Sequence, residues 1–137
     1  MVLCYSYLWA DEYNKGNQEG RKDRQVVVVL ARRDLGPSSV LYVAPVTHAA
    51  DDRENRVEIP AILKRHLGLD DEASFIVTDE VNIFVWPGHD LRPITRPRSG
   101  NDDPPCDYGY LPRGFFNSLK DAFKASWHHQ RVRAVKR

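Results

Sequence analysis

Residues able to do chemistry are scattered along this chain rather than gathered in one motif, and their spacing excludes several reaction classes. Five histidines, His48, His66, His89, His128 and His129, lie apart in sequence, and the last two sit among cations. No His, Asp and Glu cluster has the ligand spacing of a zinc site, so no metal and no other cofactor is expected. Cys4 and Cys106 form no Cys-x-x-Cys pair, and no disulfide framework organises the chain. Asp79 and Glu80 are adjacent carboxylates, but neighbouring strand residues point to opposite faces, so at most one of them lines a cleft. Trp9 and Tyr13 are suited to stack on unpaired bases, with core packing the equal alternative for Trp9. Arg21, Lys22, Arg24, Arg32 and Arg33 flank an early apolar run; Lys120, Lys124, Arg131, Arg133, Lys136 and Arg137 meet only Asp121 among acids after Leu119. With 20 Lys plus Arg against 19 Asp plus Glu, any contact with a polyanion rests on such clusters and not on overall charge.

The elements that must position these residues are mostly strands. At 137 residues the chain has the length of one domain. Val2 to Trp9 reads as a strand, and the polar stretch Asp11 to Arg24, with Gly16 and Gly20, as a loop able to act as a lid. Four consecutive valines within Gln25 to Ala31 suit a strand buried on both faces; Asp34 to Ser39 turns the chain, and Val40 to Val46 returns as its partner. After a polar link from His48 to Asn55 comes a short strand, Arg56 to Ile59, and then a helix opened by Pro60 and closed by Gly68. Ala73 to Thr78 and Val81 to Trp86 are β-like runs hinged at Asp79 and Glu80, either one bent strand or a pair. Residues 87–108 form a long proline-rich loop. Phe115, Leu119, Phe123 and Trp127 recur every four residues as the packing stripe of a last helix, followed by a basic tail over residues 128–137. Five or six strands contiguous in sequence, a short internal helix and a C-terminal helix predict a mostly β, antiparallel, barrel-like fold. The apolar N-terminus has no basic flank and is too short to span a bilayer, so the expected location is the cytoplasm.

Four landmarks in order carry a resemblance: Trp9 at the end of the first strand, Gly20 to Arg24 before the valines, Ala44-Pro45-Val46-Thr47, and Ser74 to Val81. Gly68-Leu69, Asp79-Glu80-Val81 and Gly109-Tyr110-Leu111 fall where related motifs stand. From about Tyr5 to Phe123 the chain resembles the MazF/PemK/Kid family of toxins from toxin-antitoxin pairs. That resemblance implies an SH3-like β-barrel that dimerises, a sequence-selective, metal-independent endoribonuclease (an mRNA interferase) acting on single-stranded RNA, and a cognate antitoxin as partner. It carries the family's phosphate-holding arginine and threonine to Arg24 and Thr47. The chain departs from the pattern with Gln25 for proline, Glu80 for glutamine, Asn82 at a commonly basic position, and Val77 where the Kid/PemK branch has a proton-transferring arginine.

RNA needs no metal to be cut, because its own 2′-hydroxyl can attack the adjacent phosphorus. The protein must orient the strand, move protons and neutralise charge. A guanidinium, always charged and forked, suits the last task and makes Arg24 the candidate; the Thr47 hydroxyl can bond a nonbridging oxygen. His48 is a proton shuttle if it points inward, and Asp79 a second candidate. Trp9, Tyr13, Arg21, Lys22 and Glu80 complete the expected RNA contacts. Each has a plain structural rival, a solvated strand edge for Arg24 among them. The rival functions are a non-cleaving RNA- or protein-binding module on the same barrel, or a gyrase inhibitor of the CcdB kind. The Arg133-Ala134-Val135-Lys136-Arg137 ending speaks against the second, since CcdB-like chains end in an apolar-aromatic tail.

Overall fold

The computed structural model describes residues 1–20, 22–33, 38–49, 55–94, 106–129 and 132–137. The elements run β1 (Val2–Ser6), α1 (Ala10–Asn14), β2 (Asp23–Arg33), β3 (Ser39–Thr47), β4 (Arg56–Glu58), α2 (Ala61–Leu67), β5 (Phe75–Val77), β6 (Glu80–Trp86), β7 (Asp107–Gly109), α3 (Arg113–His128) and β8 (Arg133–Lys136). Arg21, the turn at 34–37, much of the 48–55 link, residues 95–105 of the proline-rich loop and Arg131 lie outside the described residues.

β2 and β3 form the central antiparallel pair, with Val27 opposite Ala44 and Val26 opposite Pro45. Val26 and Val27 are buried on opposite faces, while Val28 and Val29 are partly buried and Leu30 and Ala31 exposed, so the double-sided burial expected of this run covers only its first half. Val27 belongs to a core with Val2, Ala44, Val46 and Ile76, covered by Leu67 of α2 and Leu119 of α3. Val26 belongs to a second core with Leu3, Tyr5, Tyr7, Val43 and Phe84. On the far edge of β3, Val46 pairs with Ile76 of β5 and Val43 with Asn82 of β6, so three steps along β3 face six along the other chain. β5 and β6 are thus successive stretches of one bent strand, interrupted at Thr78 and Asp79. Pro60 opens α2, and Gly68, at φ 66°, ends it in the left-handed conformation that favours glycine.

Three expectations need correction. The sheet has eight strands in a branched order, β4-β5-β3-β2-β1-β7 with β6 and β8 attached through β3, and it does not close into a barrel. No backbone ladder joins β1 to β6 or β8 among the described residues. The polar stretch after Trp9 begins as a helical turn, and Gly20 crosses β1 so closely that a Cβ there would lie 2.1 Å from the Tyr7 carbonyl oxygen. The basic tail contains β8, which pairs in parallel with β6. Its charge density hides a strand alternation in which Val135 is the buried residue. No described helix is long and apolar enough to cross a membrane.

The α3 stripe packs as read over Phe115, Leu119 and Phe123, but it outruns the sheet and leaves Trp127 69% exposed. Leu119 is fully enclosed at the centre of that face. Leu119→Ala should cost about 2–5 kcal/mol, read as a lowered denaturation midpoint with unchanged m-value.

Candidate functional site

Arg24 stands at the start of β2, opposite Tyr5 of β1. The β2–β3 ladder ends at Val26 opposite Pro45, two residues short of Arg24 on β2 and of Thr47 at the end of β3. The strand pairing thus brings Arg24 and Thr47 to the same end of the sheet. The Arg24 guanidinium lies over the Trp9 ring at 5.1 Å. Trp9 is half-buried against the second core, edge-on to Tyr7, and its own N–H donates to the Glu12 carboxylate at 3.3 Å. Burial lowers the Arg24 pKa, while the charges of Glu12 and Tyr7 act in the opposite sense; a guanidinium stays protonated throughout the neutral range. Thr47 Oγ1 accepts the Ala49 N–H at 3.2 Å and keeps its own proton to donate. Tyr13, one helical turn after Trp9, is 53% exposed, and Lys22 is exposed beside the strand start.

His48, the expected proton shuttle, is held by the segment that leads into β5. Its Nδ1 lies 3.0 Å from the Ala73 carbonyl oxygen and 3.2 Å from Ser74 Oγ, and its Nε2 lies 3.2 Å from Asp70 Oδ2. Both ring nitrogens are therefore engaged by the segment leading into β5. Behind them Lys64, almost fully buried on α2, donates to Asp70 Oδ1 at 2.6 Å, to Ser74 Oγ at 2.6 Å and to the Glu72 carbonyl. Desolvation works to raise the Asp70 pKa, but the Lys64 hydrogen bond and charge, with His48, outweigh it and hold the carboxyl below its ordinary value. This cluster ties α2 to β5 and accounts for His48 structurally.

Asp79 sits half-buried in the bend between β5 and β6, and its carbonyl accepts the Arg133 N–H at 2.7 Å. Glu80, expected among the RNA contacts, is instead enclosed at 1% exposure. Its carboxylate accepts the Tyr7 hydroxyl at 3.0 Å, the Ala10 N–H at 3.3 Å and the Arg133 guanidinium at 3.0 Å. Desolvation raises the Glu80 pKa in spite of those three donors. Asn82, two residues on and on the same face, holds Leu8 from both sides: its Oδ1 accepts the Leu8 N–H at 3.0 Å and its Nδ2 donates to the Leu8 carbonyl at 2.7 Å. Arg137 completes the seam with bonds to the Ser6 carbonyl, at 2.7 Å, and to Asn82 Oδ1.

Sequence reasoning passed over Glu12 and Lys64, and read Arg133 and Arg137 only as parts of a basic tail. Trp9-x-x-Glu12 has the spacing of a helix-capping pair, and an alternating Arg133, Val135, Arg137 has the period of a strand, so both signals are present. Nothing in the sequence marks Lys64 as buried.

What the described residues assemble is a fixed cation on an aromatic platform, with a hydroxyl across the strand pair and a carboxylate acting on the cation. No family model, curated protein or solved structure matches the chain.

Glu80 permits a stability test with a defined sign. Because its folded pKa is raised, the folded state holds the proton more tightly than the unfolded one, and stability falls as pH rises from the ordinary carboxylate range through the raised value. Glu80→Gln should remove that slope while keeping an acceptor for Tyr7 and Ala10. Glu80→Ala should cost about 2–4 kcal/mol by leaving two buried donors unmatched. Urea midpoints measured from pH 4 to 8 check both.

Proposed function

We propose that this protein is a metal-independent endoribonuclease acting on single-stranded RNA, the toxin of a toxin-antitoxin pair of the MazF/PemK/Kid kind. The observation that carries the reading is the Arg24 guanidinium held over the Trp9 ring at the end of the β2–β3 pair where Thr47 also lies, Arg24 and Thr47 being the two residues to which the resemblance assigns the scissile phosphate. On this reading the bent sheet is an open form of the family's barrel. A dimer and an antitoxin that blocks the Arg24 end belong to the same proposal.

The chemistry follows from the parts. Arg24 bonds two nonbridging oxygens and offsets the charge that grows on them, and Thr47 donates to one of the same oxygens. The 2′-oxygen bonds to phosphorus, the bond from phosphorus to the 5′-oxygen breaks, and the 2′ proton passes to a carboxylate. Glu12, whose charge acts on Arg24, is the group for that step. The leaving 5′-oxygen takes a proton from solvent, and the products are a 2′,3′-cyclic phosphate and a 5′-hydroxyl. Trp9 and Tyr13 stack the flanking bases, with Lys22 on the backbone.

A non-cleaving RNA-binding module is the second reading, favoured by the engagement of both His48 ring nitrogens with the segment leading into β5. Mixed-sequence single-stranded RNA incubated with the protein in excess EDTA separates the two. The proposal predicts discrete fragments ending in cyclic phosphate, with Arg24→Ala slower by roughly 100-fold to 1000-fold and Glu12→Gln slowed chiefly in kcat. Intact RNA from folded wild-type protein would overturn cleavage, and a salt-dependent affinity lost in Arg24→Ala would then establish the binding module.

A further inference from the structure

Two segments distant in sequence meet on the outer edge of β1. Residues 90–92 lie along its second half: the Ser6 N–H donates to the Asp90 carbonyl at 2.8 Å, Leu91 bridges to Tyr5, and the Arg92 N–H donates to the Cys4 carbonyl at 3.0 Å. β7 and the residue before it lie along the first half, with Leu3 opposite Asp107 and the Cys4 N–H donating to the Cys106 carbonyl at 2.8 Å. Cys4 is therefore held by both segments, and Cys106 is its neighbour across the strand pair. Antiparallel residues joined in this way have Cα atoms about 5.5 Å apart, inside the roughly 4.4–6.8 Å that a disulfide spans, and send their side chains to one face. Both cysteines are free thiols on half-buried residues, open to a small reagent.

From this juxtaposition we infer that Cys4 and Cys106 are a modification site, a thiol pair that a small disulfide such as glutathione disulfide converts to a reversible cross-strand disulfide. One protein sulfur attacks glutathione disulfide and releases one glutathione; the other attacks the protein sulfur of the mixed disulfide and releases the second. The protein gives up two electrons and its two thiol protons, and the two glutathione molecules carry them away. The new bond ties β7 to β1 and closes a loop of roughly a hundred residues, which restricts the unfolded chain.

The surroundings suit a lock and not a thiol relay. Burial raises the Cys4 pKa, with Asp23 adding to it and a Tyr108 hydrogen bond and Arg92 acting against it; the Cys106 sulfur is also among the charges that act on Cys4. Burial likewise raises the Cys106 pKa, with Asp107 adding to it. Strongly oxidising disulfides owe that property to a stabilised thiolate in the reduced form, and neither thiolate is stabilised here. The inference stands apart from the ribonuclease reading: Cys4 lies opposite Gln25, next to Arg24 on β2, but neither sulfur enters that chemistry.

The test equilibrates the full, folded chain in graded mixtures of glutathione and glutathione disulfide, quenches by alkylation and reads the intact mass. Loss of both free thiols is expected in a monomer lighter by two hydrogens and carrying no glutathione. The ratio of squared glutathione to glutathione disulfide at half-oxidation should be higher for the folded chain than for the chain unfolded in urea. The expected factor is roughly 30-fold to 1000-fold, the equivalent of the stabilisation that a native disulfide usually confers. Two thiols retained in the most oxidising mixture, glutathione left on both cysteines, linkage between two chains, or the same ratio for folded and unfolded chains would overturn the inference.

Discussion

An enclosed carboxylate and an enclosed carboxamide hold together what the backbone leaves open. The sheet bends around β3 but never completes its ladder, so β1 and β6 approach each other without strand pairing between them. Buried polar groups demand partners, because water's hydrogen bonds are lost on burial and an unmatched donor or acceptor costs more than a matched pair gains. Glu80 and Asn82 meet that demand across the seam, taking the Tyr7 hydroxyl and the backbone of Leu8 and Ala10. β8 supplies the third side with the same period of two. Arg133 reaches Glu80, Val135 packs with Leu8 and Ala10, and Arg137 reaches Asn82 and the Ser6 carbonyl.

The candidate site depends on that seam. Trp9 lies between Leu8 and Ala10, both fixed by β6, and Trp9 is the platform on which the Arg24 guanidinium rests. Glu12 is held by the same turn through the Trp9 N–H. The C-terminal strand therefore positions a site to which it contributes no side chain. At the opposite edge, the Lys64, Asp70, Ser74 and His48 cluster fixes α2 against β5 and leaves Thr47 at the end of its strand.

How far the sequence discloses this varies with the physics. The four valines declare a strand because nothing else uses such a run so well, and Phe115, Leu119 and Phe123 declare a helix face by their period. Arg24 and Thr47 were legible as types, and their place at one end of the sheet follows once β2 and β3 are known to pair. The seam was not legible. Glu80 and Asn82 carry side chains that usually face water, and Arg133 to Arg137 is dense in charge; their contacts across the seam depend on partners more than seventy residues away for Glu80 and Asn82, and more than fifty for Arg133 and Arg137. The setting of His48 was no more legible: the residues that engage it, Asp70, Glu72, Ala73 and Ser74, come from a loop no local pattern connects to it.

Residue-resolved hydrogen exchange on the wild-type chain tests the side-chain seam most directly. Leu8 and Ala10 lie outside any strand, and among the described residues their amide protons have only the side chains of Asn82 and Glu80 as acceptors. If those side chains hold the sheet together, both amides exchange as slowly as those of β2 and β3. Exchange of Leu8 and Ala10 at the rate of an open loop, while β2 and β3 stay protected, would contradict the account.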